Sequence, residues 1–248
     1  MRGVVRKIIR QSTVDGPGNR AAIFLQGCNI RCAYCHNPET QAICRLTDDA
    51  SQRTDDEIFV TDSSEVIKEI KQCMPFIRGI TISGGECMLQ AAFVEEIFRA
   101  IKPLGLSCLI DSNGTIPFAH YPELLDLCDG VMLDVKAWDS DVYYRLTGAK
   151  DNSVVKQNLL LLLQKNKLTE VRIVCLPQEC PITIDVDTIL HQLAEIPNFI
   201  SQHVPVRLLR FRPHGVIGEL SNTPMPSDEQ MQNYYHLAQQ LGLYCAIK

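Results

Sequence analysis

Residues 26–38 read QGCNIRCAYCHNP, and this stretch is the most informative part of the chain. It contains Cys28, Cys32 and Cys35 in the spacing C-x3-C-x2-C, directly after the apolar run 21–25. Three thiolates on one short loop can hold three irons of a cubane cluster and leave the fourth iron open to a ligand. Open coordination distinguishes catalytic metal sites from closed structural ones. The spacing therefore predicts an iron–sulfur site that binds and reduces a ligand.

His36 directly follows Cys35 and leaves a second interpretation open, a zinc site with three cysteines and one histidine. A histidine next to a ligand cysteine does not easily reach the same ion, and zinc sites commonly use C-x2-C pairs. A third interpretation is simple packing, but three cysteines so close together in a polar loop are unusual for a hydrophobic core. The spacing favours an iron–sulfur site over zinc, and a zinc site over packing.

The length of 248 residues suits one large domain or two small ones, and α/β barrels reach this size as single units; we expect one cytoplasmic domain over residues 1–248. The hydrophobic content of 46% is enough for a substantial core, and the net charge of −5 comes without a basic stripe that would bind nucleic acid. No run approaches the roughly 18 apolar residues of a membrane span. Eleven cysteines, an odd number scattered through apolar segments, are typical of a reducing compartment. We therefore expect neither nucleic acid nor a membrane as a partner.

Continuous apolar runs alternate with helical patterns along the chain, which is typical of a parallel sheet covered by helices. The predicted strands are 21–25, 79–83, 107–110, 130–133, 170–175 and 204–211. The predicted helices are 64–74, 90–101, 122–127, 153–165, 183–196 and 227–241. The last helix has Ser227 and Gln230 as a capping box and ends before Gly242. Six such repeats predict a partial (β/α)6 barrel, with an acidic surface loop at about residues 44–63.

Polar residues follow the predicted strands, at the end where function collects in parallel α/β folds. They are the cysteine loop, Ser83-Gly84-Gly85-Glu86, Asp111-Ser112-Asn113-Gly114, Asp134-Val135-Lys136, Arg172 within its strand, and Pro213-His214-Gly215. Each alone is a weak signal, because turns and strand ends commonly carry such residues. Together they predict charges gathered on one rim, and buried charges require partners or a ligand.

The order of these motifs resembles the radical S-adenosylmethionine (SAM) enzymes and, more narrowly, the activases of glycyl radical enzymes. The motifs are DGPG-x-R at 15–20, the cysteine loop, SGGE at 83–86, DSNG at 111–114 and MLDVKAW at 132–138. Length and layout are similar to pyruvate formate-lyase activase. LIDSNG at 109–114, MLDVKAW and FRPHGVIGE at 211–219 resemble the YjjW-type activases most. Those proteins carry a ferredoxin-like insert after CHNP, where this chain has only a short acidic stretch with Cys44.

The resemblance implies that Cys28, Cys32 and Cys35 ligate a [4Fe–4S] cluster whose open iron binds the amino and carboxylate groups of SAM. Reductive cleavage of SAM would give a 5′-deoxyadenosyl radical, which abstracts the Cα hydrogen of a glycine in a glycyl radical enzyme. The residues expected to contact SAM or an associated cation are Tyr34, His36, Gly84, Gly85, Glu86, Asp111, Ser112, Asp134, Lys136, Arg172 and His214.

Some of these implied roles are more specific. Gly84 and Gly85 would let the backbone approach the methionyl amino group, with Glu86 as its counter-charge. Asp111 and Asp134 would hold the ribose or a monovalent cation, together with neutral oxygens nearby. Tyr34 would pack on the adenine. Lys136 and Arg172 would offer positive charge to the carboxylate or ribose of SAM. His214 would contact the ribose or the adenine.

The resemblance also implies partners. Asp15 would contact the glycyl loop of the activated enzyme in a transient complex, and a flavodoxin or ferredoxin would supply the electron. Cys175 and Cys180 form a C-x4-C pair without two further ligands nearby, so packing is the favoured role for both, as it is for Cys44. The alternative functions are a radical SAM enzyme acting on a small molecule and a zinc-stabilised binding protein.

Overall fold

A computed structural model describes residues 1–44 and 58–248 of the chain. The chain divides into two compact units. The first comprises Met1–Asn29, Glu39–Ser112 and Ile116–Met132, and the second comprises Ile30–Pro38, Asn113–Thr115 and Leu133–Lys248. The sequence prediction of one domain over residues 1–248 stays a prediction. Within the described ranges, no helix is long and apolar enough to cross a membrane.

The first unit is built on a mixed sheet. Its strands are β1 (Arg2–Ser12), β2 (Arg20–Leu25), β3 (Phe59–Asp62), β4 (Gly79–Gly84) and β5 (Ser107–Ser112), hydrogen-bonded in the order β3-β1-β2-β4-β5. β1 is antiparallel to both β2 and β3, whereas β2, β4 and β5 are parallel. Its helices are α1 (Ser63–Cys73), α2 (Ala91–Ile101) and α3 (Pro122–Leu127). All six residues of β2 are buried, as expected for a strand covered on both faces.

The second unit carries parallel strands and four helices. Its strands are β7 (Leu168–Cys175), β8 (Val206–Arg210) and β9 (Cys245–Ile247), parallel in that order. Its helices are α4 (Ser140–Thr147), α5 (Ser153–Gln164), α6 (Val186–Glu195) and α7 (Asp228–Gln240). β6 (Gly130–Asp134) begins in the first unit and ends in the second, where the next residue, Val135, donates its N–H to the Arg172 carbonyl.

All six predicted strands and all six predicted helices are confirmed, with ends that move by up to three residues. Ser227 caps α7 as predicted, because its Oγ accepts from the Gln230 N–H at 3.1 Å. The second half of the predicted capping box is wrong. The Gln230 side chain instead donates to the Leu176 carbonyl at 2.8 Å and accepts from the Gln178 N–H, so it fixes the turn after β7.

β1, β3, α4 and β9 have no counterpart among the elements predicted from the sequence. β1 shows no simple alternation, because two register irregularities against β2 interrupt its side-chain pattern. α4 is short, but it carries clear end signals: the Asp139 carboxylate accepts from two N–H groups at its start, and Gly148 has a φ of 73° at its end. Of the predicted acidic loop at 44–63, residues 45–57 lie outside the described part. Residues 59–62 are not a loop but β3, whose pairing partner is the unrecognised β1.

The core of the first unit is set by helix periodicity and close backbone approach. In α2 the buried apolar residues recur at positions 93, 94, 97, 98 and 101, which places them on one face. Phe93 packs flat against β1, where a Cβ at Gly3 would lie only 2.5 Å from its ring. Glycine is therefore the residue that lets α2 cover this end of the sheet.

Candidate active site

The cysteine loop is anchored at both ends by hydrogen bonds to backbone carbonyls. In the first unit, the Cys28 N–H donates to the Gln41 carbonyl at 3.2 Å, and Gln26 Nε2 donates to the Ala42 carbonyl at 2.8 Å. In the second unit, the N–H groups of Arg31 and Ala33 donate to the last carbonyls of α4, both at 2.8 Å. α4, which the sequence analysis missed, is thus the platform for residues 31–33.

Within the described part of the chain, the three loop cysteines form no disulfide; Cys28 is buried, and Cys32 and Cys35 are half-buried. The Cys35 N–H donates to the Cys32 carbonyl at 3.1 Å, which closes a tight turn between the last two. Among residues 1–44 and 58–248, no three histidine, cysteine, aspartate or glutamate side chains are grouped so as to hold a metal ion. The donor types suit an iron–sulfur cluster, because three thiols lie within eight residues of the sequence. Their role as iron ligands stays a prediction.

The buried Tyr34 and Lys136 form a cluster with the half-buried Asp134 beside Cys32. Lys136 Nζ lies 2.8 Å from Asp134 Oδ2 and 5.5 Å from the centre of the Tyr34 ring. Burial opposes the charge of Lys136, but the carboxylate of Asp134, with smaller contributions from Tyr34 and Cys32, raises its pKa well above the usual 10.5. Lys136 is therefore a fixed positive charge held against an aromatic face, which is a favourable arrangement when desolvated.

The Tyr34 hydroxyl is the unusual atom of this cluster. Tyr34 is 4% exposed, and in the described part of the chain its Oη has no hydrogen-bond partner. Burial raises the pKa of Tyr34, against the opposing effect of the Lys136 charge. A buried phenol usually finds a partner, so an unpartnered one beside the predicted ligands is compatible with a group that binds there.

His36 and His214 also come together in the second unit. A Cβ at Gly215 would lie 2.5 Å from the His36 carbonyl, so the PHG turn packs directly on the end of the cysteine loop. The His36 ring lies 6.3 Å from that of Phe211. Burial lowers the pKa of His36 below 6.5; a hydrogen bond to the Arg212 backbone opposes this shift, and the positive charges of Arg212 and His214 add to it. A lowered pKa favours the neutral imidazole, one of whose ring nitrogens can accept a hydrogen bond.

The SGGE segment is fixed to the end of β5. The Ser83 hydroxyl donates to Asp111 Oδ2 at 3.0 Å. Glu86 is fully buried, and its Oε1 accepts from the Met88 N–H at 3.0 Å and from the Ser112 hydroxyl at 2.9 Å. Glu86 thereby caps the short 3-10 helix that follows SGGE. From the sequence, Glu86 is predicted only as a counter-charge for a ligand. Its contact with Ser112, 26 residues further along the chain, leaves no local signal.

Gly84 and Gly85 are required by the protein's own packing. A Cβ at Gly84 would lie 2.1 Å from the Leu25 carbonyl oxygen, and one at Gly85 would lie 2.2 Å from the Gly27 carbonyl oxygen. The approach is tied by hydrogen bonds, because the Gly85 N–H donates to Leu25 at 3.1 Å and the Glu86 N–H donates to Gly27 at 2.8 Å. The pair thus joins the end of β4 to the start of the cysteine loop, independently of any ligand.

Arg172 shares a buried carboxylate with a second arginine. Glu170 Oε1 lies 2.6 Å from Arg172 Nε, and Glu170 Oε2 lies 3.1 Å from Arg207 Nε. Burial disfavours the charged form of Glu170, but the charge and hydrogen bonds of the arginines outweigh it and lower its pKa below 4.5. Arg172 therefore sits in a structured ion network. The sequence predicts Arg172 as a site residue but does not predict Glu170 or Arg207. Residues 170 and 172 are two apart in a predicted strand, and this spacing indicates that their side chains share one face.

The remaining predicted residues lie apart from these clusters. Asp15 accepts a hydrogen bond from the Ser12 hydroxyl at 2.5 Å in the loop between β1 and β2. Cys44 is half-buried, and its Sγ faces the Ala42 carbonyl. Cys175 and Cys180 are buried free thiols, and burial raises the pKa of Cys175 to about 12. A thiol that stays protonated is a poor metal ligand, so packing remains the favoured role for this pair.

Replacing Gly84 by alanine tests whether packing alone requires the glycine. At a φ of 126° the new methyl would overlap the Leu25 backbone, so we expect a loss of about 3 kcal/mol or more in the free energy of unfolding, without any cofactor present. Gly105→Ala is the matched control, because its φ of 77° carries only left-handed strain of about 1–2 kcal/mol and no atom lies within 4 Å. Urea unfolding of the metal-free proteins measures both, and equal losses would contradict the packing argument.

Replacing Glu170 by glutamine should change the pH dependence of stability. Because the pKa of Glu170 is lower in the folded state, its contribution is fully present above its unfolded value of 4.5 and is lost as the pH falls through the folded value. The difference in unfolding free energy between wild type and Glu170→Gln should therefore stay level above pH 4.5 and shrink as the pH falls below 4.5. Glu123→Gln is the control, since Glu123 is 75% exposed beside Arg99. A difference that stays constant with pH would refute this reading of the network.

Comparison with known proteins adds independent evidence on family. Residues 22–186 match the radical SAM superfamily. A Haemophilus influenzae protein named as a glycyl-radical enzyme activating enzyme is 30% identical over 260 residues, covering 96% of this chain and 94% of its own. The pyruvate formate-lyase-activating enzyme of Staphylococcus epidermidis is 29% identical, covering 95% of this chain and 94% of its own.

Solved structures show the same fold. Streptococcus suis SuiB bound to S-adenosylmethionine superposes with a TM-score of 0.62 and 11% identity, over 90% of this chain and 48% of that one. A domain of a pyruvate-formate lyase-activating enzyme from Bacteroides vulgatus gives a TM-score of 0.55 and 20% identity, over 68% of this chain and 98% of that one. The predicted fold class, an α/β partial barrel of the radical SAM type, is confirmed. The chain belongs to the radical SAM superfamily and, within it, to the glycyl-radical-enzyme activating enzymes.

Proposed function

We propose that this protein activates a glycyl radical enzyme by reductive cleavage of SAM at a [4Fe–4S] cluster. The observation that carries the proposal is 30% identity across 96% of a chain that also has the C-x3-C-x2-C loop. A cluster on three thiolates would supply an electron to SAM at its open iron, and SAM would supply the 5′-deoxyadenosyl radical that takes a glycine Cα hydrogen. The protein's own residues supply geometry and charge.

Cys28, Cys32 and Cys35 are the proposed iron ligands. In the first unit, Cys28 is held by a backbone bond to residue 41, and in the second unit, residues 31 and 33 are held by backbone bonds to residues 147 and 146. Lys136 supplies a permanent positive charge next to Cys32, which would balance part of the negative charge that thiolates and sulfides gather there. These contacts support the assignment because a cluster that binds a ligand needs a rigid first shell.

The proposed cofactor contacts fall into two kinds. Tyr34, His36 and His214 would bind the adenine and ribose, because they offer an aromatic ring held by Lys136 and a neutral imidazole. Asp111, Ser112, Asp134, Glu86 and Arg172 would supply charge and hydrogen bonds from positions that protein partners already fix. Gly84 and Gly85 would present backbone groups, a role added to their packing role. The monovalent cation proposed at Asp111 and Asp134 stays a prediction.

The proposed substrate is a glycine in the backbone of another protein. A glycyl Cα radical is stabilised by the two flanking amide groups, so transfer of a hydrogen atom from glycine to a primary alkyl radical runs downhill. The partner must open to present this glycine, and we therefore propose a transient complex in which Asp15 contacts the glycyl loop. A flavodoxin or ferredoxin is the proposed electron donor.

Anaerobic reconstitution with iron and sulfide tests the cluster assignment. We expect wild type to show the EPR signal of a reduced [4Fe–4S] cluster that changes when SAM is added, and to form 5′-deoxyadenosine. Cys32→Ala should lose both properties, because two thiolates leave the cluster incompletely held. Cys73→Ala is the matched control, since Cys73 is a buried free thiol in α1, outside the loop. A colourless zinc protein that forms no 5′-deoxyadenosine would refute the enzyme assignment.

The partner is tested in the same reaction. Each glycyl radical enzyme encoded in the same genome is purified without oxygen and added to reduced wild-type protein with SAM. One of them should acquire the EPR doublet of a glycyl radical, split by the remaining Cα hydrogen. Formation of 5′-deoxyadenosine without a protein radical in any of them would favour a radical SAM enzyme that acts on a small molecule.

A further inference from the structure

The loop between β1 and β2, residues 13–19, lies against the sheet face that carries Thr81. In the parallel register Thr81 is paired with Ala22 and Leu109. The Asp15 carbonyl accepts from the Thr81 hydroxyl at 2.6 Å, and a Cβ at Gly16 would lie 3.2 Å from the Leu109 side chain. The loop backbone therefore packs onto the middle of β4 and β5.

Thr81, which the Asp15 carbonyl contacts, is one side-chain layer from the Ser83–Asp111 pair. Ser83 follows Thr81 by two residues, so its side chain is on the same face of β4, nearer the carboxyl end. Its hydroxyl donates to Asp111 at 3.0 Å. Two residues of a strand span about 6.6 Å. Asp15 is therefore placed in the layer next to the Ser83–Asp111 pair, within the first unit.

Thr81 acts as a relay between the loop and a buried arginine. Thr81 is fully buried, and its Oγ1 accepts from Arg20 Nε at 2.8 Å while donating to the Asp15 carbonyl. Arg20, 2% exposed, also donates to the carbonyls of Pro17, Ile80 and Ser107 and to the Ser107 hydroxyl. The Thr81 hydroxyl donates one hydrogen bond and accepts another. Replacing it would therefore remove a hydrogen-bond partner from Arg20 Nε and from the Asp15 carbonyl.

The same loop is accessible at its tip. Val14 is 74% exposed, Pro17 and Gly18 are exposed, and the Asp15 carboxylate is half-buried and accepts from Ser12. The loop backbone is held by hydrogen bonds to the sheet while its tip is exposed. Such a loop loses less conformational entropy when it binds a partner. Loops held in this way by a rigid scaffold are common recognition elements.

We propose that Thr81 is a positioning residue for partner recognition: through the Asp15 carbonyl it fixes the loop that receives the partner's glycine. This inference rests on the proposed function. Thr81 itself contacts neither the partner nor the cofactor. Removing its hydroxyl should therefore weaken recognition of the partner protein and leave cleavage of SAM alone unchanged.

The test compares Thr81→Val, which keeps the shape but lacks the hydroxyl, with Thr81→Ser, which keeps the hydroxyl. With the glycyl radical enzyme that gains the doublet, Thr81→Val should raise KM for that protein about tenfold, the loss expected for one hydrogen bond to a positioned loop. Its KM for SAM and its partner-free formation of 5′-deoxyadenosine should stay within about twofold of wild type. Thr81→Ser should restore the low KM. An unchanged KM in Thr81→Val would overturn the role of Thr81, whereas a wild-type protein that gives no doublet would refute the proposed function instead.

Hydrogen–deuterium exchange gives a readout that needs no partner. In Thr81→Val the Val14 amide, whose N–H donates to the Ser12 hydroxyl at 3.3 Å, should exchange faster, while the amides of β7 stay unchanged. Equal protection of the Val14 amide in the two proteins would overturn the inference. If Thr81→Val does not fold, Ser12→Ala removes the hydroxyl that donates to the Asp15 carboxylate and should give a smaller rise in KM for the partner with the same unchanged KM for SAM. No rise in that variant would also count against a positioned loop.

Discussion

The close backbone contact between Gly84–Gly85 and residues 25–27 is the constraint on which the site of the first unit depends. No side chain fits between these segments, and two N–H···O bonds of 3.1 and 2.8 Å tie them together. Cys28 begins directly after the contact and Glu86 directly after the glycines. The same approach therefore fixes where the cysteine loop leaves β2 and where the buried carboxylate of SGGE sits. In an activating enzyme of this superfamily, such a contact would set the predicted ligand Cys28 before any cofactor binds.

Buried charge in both units is held by specific partners. Arg20 makes five hydrogen bonds to one loop and two strands, Lys136 is paired with Asp134 against the Tyr34 ring, and Glu170 joins Arg172 to Arg207. A buried ion without such partners would be strongly destabilising, whereas a fully bonded one holds its neighbours in one geometry. These networks fix polar atoms near the predicted cofactor and partner residues. The proposed chemistry needs that order, because a reactive radical must meet one hydrogen and no other.

The sequence predicted most of the fold because its signals are local. Continuous apolar runs marked all six predicted strands, and Ser227 marked the start of the last helix. The missed elements depended on remote partners: β3 is a strand only because β1 pairs with it, and β1 has irregular register. The motifs likewise located the candidate residues but not their partners. That Glu86 would bind Ser112, and that Thr81 would contact the Asp15 loop, follows from strand register, which no single motif encodes.

Deuterium transfer from the partner protein tests the central claim most directly. The glycyl radical enzyme is prepared with glycine deuterated at Cα and incubated without oxygen with the reduced protein and SAM, and the 5′-deoxyadenosine formed is analysed by mass spectrometry. Direct abstraction from glycine predicts that 5′-deoxyadenosine gains one deuterium while the partner gains its radical. Unlabelled 5′-deoxyadenosine formed alongside a labelled, unactivated partner would contradict the account, because the hydrogen would then come from another molecule.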